Sequence, residues 1–206
     1  NQQAIVLLRN NGDGSFSLYK ELDKTNVNSI AVADFNNDGW DDFVIATMFK
    51  ENDVYFNNNG DFEKVKISDF LDELPAKVVK AADFNDDGWI DFVIGMDMKI
   101  SRVYLNDKNK GFTMTAELPG NVHTYDVAVF DYDKDGKLDI LQGNNKDQSV
   151  LYMNTNSGFA GTPVFGAGNT YSILAADFDN DGSKEVAIGD YEVNTKIYKK
   201  TNDGYS

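Results

Sequence analysis

Four short segments of the sequence carry oxygen-bearing side chains at a spacing that suits a metal ion. Each segment spans nine residues, with Asp or Asn at positions 1, 3 and 5, Gly at position 6 and a carboxylate at position 9. We call these segments acidic loops one to four. The candidate ligands, with position 7 contributing its backbone carbonyl, are Asp34, Asn36, Asp38, Trp40 and Asp42; Asp83, Asn85, Asp87, Trp89 and Asp91; Asp131, Asp133, Asp135, Lys137 and Asp139; and Asp177, Asp179, Asp181, Ser183 and Glu185.

The ligand chemistry of these loops points to calcium. Calcium takes six to eight oxygen ligands in a flexible geometry, and four side chains, one carbonyl and one or two waters supply that number. Glycine at position 6 lets the backbone curl around the ion, because glycine adopts positive φ at little cost. Without an ion the clustered carboxylates would repel one another. The sequence therefore predicts up to four calcium ions, in preference to polar turns that bind no metal.

An EF-hand shares the first half of this pattern but not the second. An EF-hand loop needs a bidentate Glu at position 12 and a helix on each side. Position 12 is an apolar or amide residue in every copy: Ile45, Ile94, Gln142 and Ile188. The flanking segments are short and rich in Val, Ile, Phe and Ala, which favours strands. The loops are therefore not EF-hands.

The loops recur at a nearly constant interval, which indicates a repeat. Their first residues, Asp34, Asp83, Asp131 and Asp177, are 49, 48 and 46 residues apart. Each loop lies between two short strands, and a third strand, an Asn- and Gly-containing hairpin and a fourth strand follow. The predicted first strands are 29–35, 78–84, 126–132 and 172–178, and the predicted second strands are 42–47, 91–96, 139–143 and 185–190.

A four-stranded meander of about 48 residues is typical of a β-propeller blade. The sequence thus predicts an all-β fold, a single β-propeller domain or propeller segment over residues 1–206. The repeats run approximately over residues 29–68, 78–118, 122–166 and 172–206, with 1–22 as a partial blade. Two arrangements stay open: a segment of a six- to eight-bladed propeller, completed by further blades of the same parent chain, or a four-bladed ring.

Two residue types should form the packing between blades. Small residues are expected where the innermost strands crowd the axis, at Ala31, Ala33, Ala81, Ala82, Ala128, Ala175 and Ala176. The aromatic residue at loop position 2 recurs in register and is expected in the core between blades: Phe35, Phe84, Tyr132 and Phe178.

Composition excludes several classes of function. The 206 residues are 41% hydrophobic and 26% charged, which fits a globular protein, and the net charge of −15 argues against nucleic acid or anionic membranes as partners. No apolar run is long enough to insert into a membrane. Cysteine is absent, so disulfides and thiolate metal sites are excluded. The chain does not begin with Met, and we expect it to start after processing or inside a longer protein.

The repeat resembles a known family. An Asp-hydrophobic-Asp/Asn-x-Asp-Gly-x-x-Asp/Glu loop between two short strands, present four times, is similar to the FG-GAP/VCBS repeat. That resemblance implies a calcium-bearing propeller such as the head of integrin α subunits, and related lectins and bacterial surface proteins. It implies metal ligation at the loop positions given above. Glu185 departs from the Asp found at position 9 of the other copies.

A partner is expected on the face of the propeller opposite the acidic loops. The connections on that face differ between repeats, whereas the loop face repeats itself, and specific recognition needs non-identical chemistry. Candidate contacts are Phe49, Met96, Met98, Asn144, Asn145 and Tyr191. The rings of Trp40 and Trp89 either stack on a sugar or, as we favour, pack over the neighbouring hairpin. His123, the only histidine, is expected to be solvated or locally hydrogen-bonded.

The sequence contains no phosphate loop, nucleophile elbow or transition-metal cluster, so we expect no enzyme activity. It favours a calcium-stabilised binding or adhesion module for carbohydrate or protein, located outside the cell, at the cell surface or in the periplasm. The alternatives are a non-catalytic part of a larger polysaccharide-active enzyme and a structural subunit of a surface assembly.

Overall fold

The computed structural model describes residues 3–48, 52–67, 75–165, 168–191, 195–201 and 204–205. These residues form strands and no helix, as the sequence predicts. The strands are β1 (Gln3–Asn10), β2 (Phe16–Thr25), β3 (Val27–Ala33), β4 (Asp42–Thr47), β5 (Asp53–Asn58), β6 (Asp61–Lys66), β7 (Ala76–Ala82), β8 (Asp91–Asn106), β9 (Phe112–Phe130), β10 (Asp139–Asn145), β11 (Ser149–Thr155), β12 (Gly158–Phe165), β13 (Thr170–Ala176), β14 (Glu185–Asp190), β15 (Lys196–Tyr198), β16 (Lys200–Thr201) and β17 (Gly204–Tyr205).

Blade one is the expected four-stranded antiparallel meander, in the order β3-β4-β5-β6. Its second strand, β4, has the predicted bounds, but its first strand ends at Ala33 rather than at the predicted Phe35. The reason is that the backbone N–H of Phe35 donates to the Asp42 carboxylate and so is not available to the strand ladder. The same two-residue difference recurs in the first strands of the other three blades.

Blades two and three share one six-stranded sheet, in the order β12-β11-β10-β9-β8-β7. Strand β8 contains strands two and three of blade two, and the Asn106 N–H donates to the Asp91 carboxylate, so the two ends of β8 lie together. Strand β9 contains strand four of blade two and strand one of blade three. The pairing of Asp97 with His123 joins the two blades at their connection, which the sequence did not indicate.

The two ends of the chain form smaller sheets. The hairpin β1-β2 corresponds to strands three and four of a blade, as the sequence predicts for the partial blade. Blade four contains β13-β14-β15, and β16-β17 form a separate two-stranded hairpin after it. The described part of blade four therefore has three strands.

Four apolar clusters hold successive units together. One joins the β1-β2 hairpin to blade one, with Ile5 packed against Phe43, Ile45 and Tyr55. The next three join blade one to blade two, blade two to blade three, and blade three to blade four. None of these clusters among the described residues joins blade four back to blade one or to the hairpin. Consecutive blades thus cover each other, and the outer faces of the first and last units carry exposed apolar side chains.

The first strands of the four blades line a shared cavity of about 380 Å³ at the expected axis. Its lining includes Ala31, Ala81, Ala128 and Ala175, which lie where the sequence predicts small residues. The position 2 aromatics behave as expected in the first two loops, because Phe35 and Phe84 are buried between blades. Phe178 differs, since it is 48% exposed.

The packing between blades can be tested at the fifth residue of strand two, which is glycine in blades two and four. A Cβ on Gly95 would lie 2.5 Å from Val78 Cγ1 and 2.8 Å from Thr124 Cγ2, in a closed space between blades two and three. Both neighbours are β-branched and stiff. At the equivalent Gly189 of blade four, the nearest atom to such a Cβ is 3.6 Å away, because no described residue follows on that side.

We expect Gly95→Ala to lower the free energy of unfolding by about 1–3 kcal/mol, the usual cost of overpacking. Gly189→Ala, the matched control, should change it little. Urea denaturation of both variants measures the difference. Equal stability of the two variants would contradict the described packing between blades.

Candidate metal centres and the opposite face

The backbone of each acidic loop has two residues in the left-handed region. Position 6 is glycine in all four loops, with φ of 89° at Gly39, 81° at Gly88, 90° at Gly136 and 81° at Gly182. This conformation is the one that glycine adopts without strain, so the predicted need for Gly is met. Position 4 also has positive φ, at Asn37, Asp86, Lys134 and Asn180. Asn and Asp tolerate that conformation, so the residues at position 4 of loops one, two and four are a sequence signal for this second turn.

The position 1 carboxylate organises its own loop. Asp34 accepts the backbone N–H of Asp38 at 3.1 Å through Oδ1 and that of Gly39 at 2.7 Å through Oδ2. The Asp38 carboxylate accepts the backbone N–H of Trp40 at 2.8 Å. The bond from position 6 to position 1 recurs in the other loops, from Gly88 to Asp83, from Gly136 to Asp131 and from Gly182 to Asp177.

The position 9 carboxylate links each loop to the third strand of its blade. Asp42 is fully buried, and it accepts the N–H of Phe35 at 2.9 Å with one oxygen and the N–H of Asn57 at 2.7 Å with the other. Equivalent pairs of bonds are those of Asp91 with Phe84 and Asn106, and of Asp139 with Tyr132 and Asn154. Sequence reasoning assigned position 9 to metal alone and missed this second role. The available signal was the Asn near the end of strand three in the first three repeats: Asn57, Asn106 and Asn154.

Loop four departs from this arrangement. Glu185 accepts the N–H of Phe178 at 2.9 Å through Oε2, while its buried Oε1 has no hydrogen-bond partner among the described residues. A buried, unpartnered carboxylate oxygen is costly unless a cation or water compensates it. The donor set of this loop therefore fits a cation.

Carboxylate oxygens converge in two of the loops. The groups Asp131, Asp133 and Asp139, and Asp177, Asp179 and Glu185, each offer ligand atoms that lie within 4.8 Å of one another. These are positions 1, 3 and 9 of the predicted ligand set. Position 5 is not part of either group, and Asp135 and Asp181 accept the backbone N–H of the position 7 residue. A ligand set made up of carboxylate oxygens suits a hard divalent cation.

Loops one and two have an amide at position 3. Asn36 Nδ2 donates to Asp38 Oδ2 at 2.9 Å, and Asn85 Nδ2 donates to Asp87 Oδ2 at 3.0 Å. Lysines compensate part of the charge elsewhere: Lys108 lies 3.1 Å from Asp87, and Lys199 pairs with Asp179 and Asp181. The position 7 residues Trp40, Trp89, Lys137 and Ser183 donate their N–H groups to position 5, and their carbonyls as ligands stay a prediction.

Burial raises the pKa values of three position 9 carboxyls. Desolvation raises the pKa of Asp91 to about 6, with the charges of Asp83 and Asp87 adding to the effect, and it raises the pKa of Asp42 and Asp139 as well. Because the folded-state pKa of Asp91 lies above the ordinary 3.8, this group destabilises the metal-free fold as the pH rises from about 4 to 6. A bound cation would favour the ionised form and oppose this loss.

The two tryptophans occupy different surroundings. Trp89 lines a cavity of about 440 Å³ together with Asn36 of loop one and Asn58 of the blade-one hairpin. The packing of its ring over the neighbouring hairpin stays a prediction. Trp40 is 47% exposed.

The face opposite the acidic loops presents a row of tyrosines. The ring of Tyr171 lies 4.7 Å from that of Tyr125 and 5.4 Å from that of Tyr191, measured between centroids. Lys77 Nζ lies 5.0 Å from the Tyr125 ring and 3.4 Å from Asp97. We call Tyr125, Tyr171 and Tyr191 the tyrosine row.

Several predicted contacts on this face are wrong. Met96 is fully buried in the core between blades one and two, and Asn144 and Asn145 are also buried. Asn144 is committed to the protein, since its Nδ2 donates to the Gln148 carbonyl at 2.7 Å. Met98 and Tyr191 are exposed as predicted, and Phe49 lies outside the described residues. His123 is locally hydrogen-bonded, with Nδ1 2.7 Å from Asp97 Oδ1.

Comparison with known proteins agrees with the repeat. The FG-GAP-like repeat model matches residues 1–45, 34–94, 83–142 and 135–188. A solved structure of BBS1N in complex with ARL6DN, soaked with lead, superposes with a TM-score of 0.61 at 10% sequence identity. The match covers 90% of this chain and 57% of that one, so the chain spans little more than half of the neighbour's length. At this identity the likeness concerns the fold alone. A search of curated proteins finds no significant match.

Within the described ranges, no helix has the length and apolarity that a membrane-spanning helix requires.

We expect Asp42→Ala to destabilise the fold even when calcium is absent. The substitution leaves the N–H groups of Phe35 and Asn57 without their acceptor, at about 1–3 kcal/mol for each one left unsatisfied. Asp41→Ala is the matched control, because Asp41 is exposed. Urea denaturation in chelator measures both variants. A loss no larger in Asp42→Ala than in the control would show that the carboxylate does not link loop and strand.

Proposed function

Because the chain belongs to the FG-GAP-like repeat family, with matches that run from residue 1 to residue 188, we propose that it is a calcium-stabilised, non-catalytic binding module. It takes its partner on the face opposite the acidic loops, and it works outside the cell or at the cell surface. The observation that carries the proposal is the chemical difference between the loop face and the opposite face. One repeats a buried carboxylate and an acidic loop, and the other presents the tyrosine row.

Calcium is the ion that the loops fit best. The donor set consists of carboxylates, two amides and backbone carbonyls, without nitrogen or sulfur ligands. When bound, calcium would neutralise the carboxylates and hold the loop against strands one and two. The groups Asp131, Asp133 and Asp139, and Asp177, Asp179 and Glu185, would hold it in loops three and four. A full oxygen shell leaves no reactive position, which is consistent with a structural role.

The expected affinity supports a location outside the cell. Extracellular calcium modules bind with dissociation constants on the order of 10⁻⁴–10⁻³ M. Loops one and four are exposed at most of their positions, and lysines compete with the ion in loops two and four. Affinity in that range would leave the loops empty at cytosolic calcium levels and occupied outside the cell.

Calcium should raise the melting temperature, and chelation should lower it. An ion at a hundredfold excess over its dissociation constant stabilises the fold by about 2.7 kcal/mol for each site. Differential scanning calorimetry with calcium, magnesium or chelator measures the shift, and isothermal titration calorimetry counts the ions. Protonation competes with calcium, so the affinity should be weaker at pH 5 than at pH 7, because the pKa of Asp91 is raised to about 6.

The double variant Asp131→Asn/Asp133→Asn removes charge from loop three and should lower the ion count by one. Asp41→Asn, an exposed carboxylate outside the predicted ligand set, should leave the count unchanged. The same melting temperature in calcium and in chelator would overturn the structural role of calcium.

A protein is the partner that we favour. Tyrosine is enriched among the residues that dominate protein interfaces, because its ring gives a large rigid contact and its hydroxyl a hydrogen bond. Tyr171 and Tyr191 are 45% and 75% exposed. Lys77 lies over the ring of Tyr125 and pairs with Asp97, which also bonds to His123, so polar groups adjoin the row. The structural neighbour BBS1N is itself described in a complex with a protein, ARL6DN, which supports this choice.

Carbohydrate is a second candidate, favoured by the same row. Exposed aromatic faces stack on sugar rings, and the tyrosine row offers two exposed rings next to each other, Tyr171 and Tyr191. An enzymatic or assembly role of a longer parent protein would place its chemistry outside these residues.

We expect the double variant Tyr171→Ala/Tyr191→Ala to bind at least tenfold more weakly than the wild type to whichever partner is found. The chain is immobilised in calcium and screened against purified extracellular proteins and a glycan array. Tyr19→Ala, an exposed tyrosine on the β1-β2 hairpin, is the control and should bind normally. Glycan binding alone selects the second candidate. Binding that both variants retain would place the partner elsewhere on the molecule.

A further inference from the structure

A groove lies between blades one and two on the face that carries the acidic loops, and it contains the cavity of about 440 Å³ that Trp89 lines. Its lining comes from loop one, loop two and the hairpins between strands three and four of both blades. The two loops are joined beside it, because the Asn37 side chain donates to the Gly88 carbonyl at 3.2 Å. Small-molecule sites in proteins have volumes of about 300–1,000 Å³. We call this space the Trp89 groove.

The Trp89 groove combines an aromatic ring with hydrogen-bonding groups that the protein does not use. The backbone N–H of Trp89 donates to Asp87, but its indole N–H has no partner among the described residues. The side-chain amides of Asn58 and Asn109, one from each hairpin, likewise make no hydrogen bond within the described part of the chain. An amide both donates and accepts, so these groups suit a ligand that carries hydroxyls.

The lysines of the groove are neutralised by carboxylates. Lys108 Nζ lies 3.1 Å from Asp87 Oδ2, and Lys110 Nζ lies 2.5 Å from Glu63 Oε2. Lys110 Nζ also lies 5.3 Å from the centroid of the Phe56 ring, in the same lining. The groove therefore suits an uncharged ligand better than an anion.

The corresponding groove between blades two and three has different chemistry. It contains a cavity of about 750 Å³, but position 7 of its loop is Lys137 where blade two has a tryptophan. Lys137 Nζ donates to Asn156 Oδ1 at 2.7 Å, and the Thr155 hydroxyl donates to the Gly158 carbonyl at 2.6 Å. The side chains of this hairpin are thus bonded within the protein. The two grooves share a fold and differ in what they offer a ligand.

We propose that the Trp89 groove binds an uncharged sugar ring. A pyranose has an apolar face of C–H groups, which stacks on the Trp89 indole, and a rim of hydroxyls, which bond to the amides of Asn58 and Asn109. The site goes beyond the proposed function, because it lies on the loop face and does not involve the tyrosine row. Both of its walls belong to blades that are described here in full register, β3 to β6 and β7 to β9.

Nuclear magnetic resonance of the isotope-labelled chain in calcium tests the site, because the two tryptophans give two indole N–H signals. Trp40→Phe identifies the signal of Trp89. The probes are the methyl pyranosides of glucose, galactose, mannose and N-acetylglucosamine, each titrated to tens of millimolar. At least one probe should shift the Trp89 indole signal and the amide signals of Asn58 and Asn109, while the Trp40 signal stays in place.

Trp89→Lys gives loop two the residue that loop three has at position 7, so this variant should fold, and circular dichroism melting checks this. It should bind the probe about tenfold more weakly or worse, because the stacking face is lost. Lys137→Ala, in the corresponding groove, and Tyr171→Ala/Tyr191→Ala, on the opposite face, should bind like the wild type. The proposal is overturned if no probe shifts the Trp89 signal, if Trp89→Lys binds as tightly as the wild type, or if the tyrosine variant loses the binding instead.

Discussion

A buried carboxylate at position 9 holds together three parts of each of the first three blades. In blades one to three it ends strand one by accepting a loop N–H, it begins strand two, and it accepts the N–H of an Asn near the end of strand three. That Asn then reaches the neighbouring loop in two of the three junctions between blades. Loop, sheet and junction therefore depend on one side chain whose charge is buried at a cost. A cation in the adjacent loop, as proposed, would offset that cost.

Much of this arrangement could be predicted because the sequence repeats its constraints. The interval between loops and the short apolar runs predicted the meander. The glycine at position 6 predicted a left-handed turn, and all four of these glycines have positive φ. The buried Phe35 and Phe84 followed from a register that recurs. The merger of blades two and three into one sheet could not be predicted, because it depends on pairing between Asp97 and His123 in connections that have no repeated pattern.

The opposite face was harder to predict for the same reason. Its connections do not repeat, so exposure had to be inferred from position in the chain. Met96 and Asn144 lie at the predicted end of the sheet, yet both are buried. Met96 belongs to the core between blades one and two, and Asn144 donates to the Gln148 carbonyl of its own blade. The tyrosine row combines Tyr125 of blade three with Tyr171 and Tyr191 of blade four, so only the three-dimensional structure brings its rings together.

The most direct test of this account is a nuclear magnetic resonance titration of the Asp91 carboxyl carbon. In chelator, the buried carboxyl should titrate with a pKa of about 6, and added calcium should move its pKa well below that value. A pKa near the ordinary 3.8 in chelator, unchanged by calcium, would contradict the claim that one buried carboxylate per blade connects the loop, the strands and the ion.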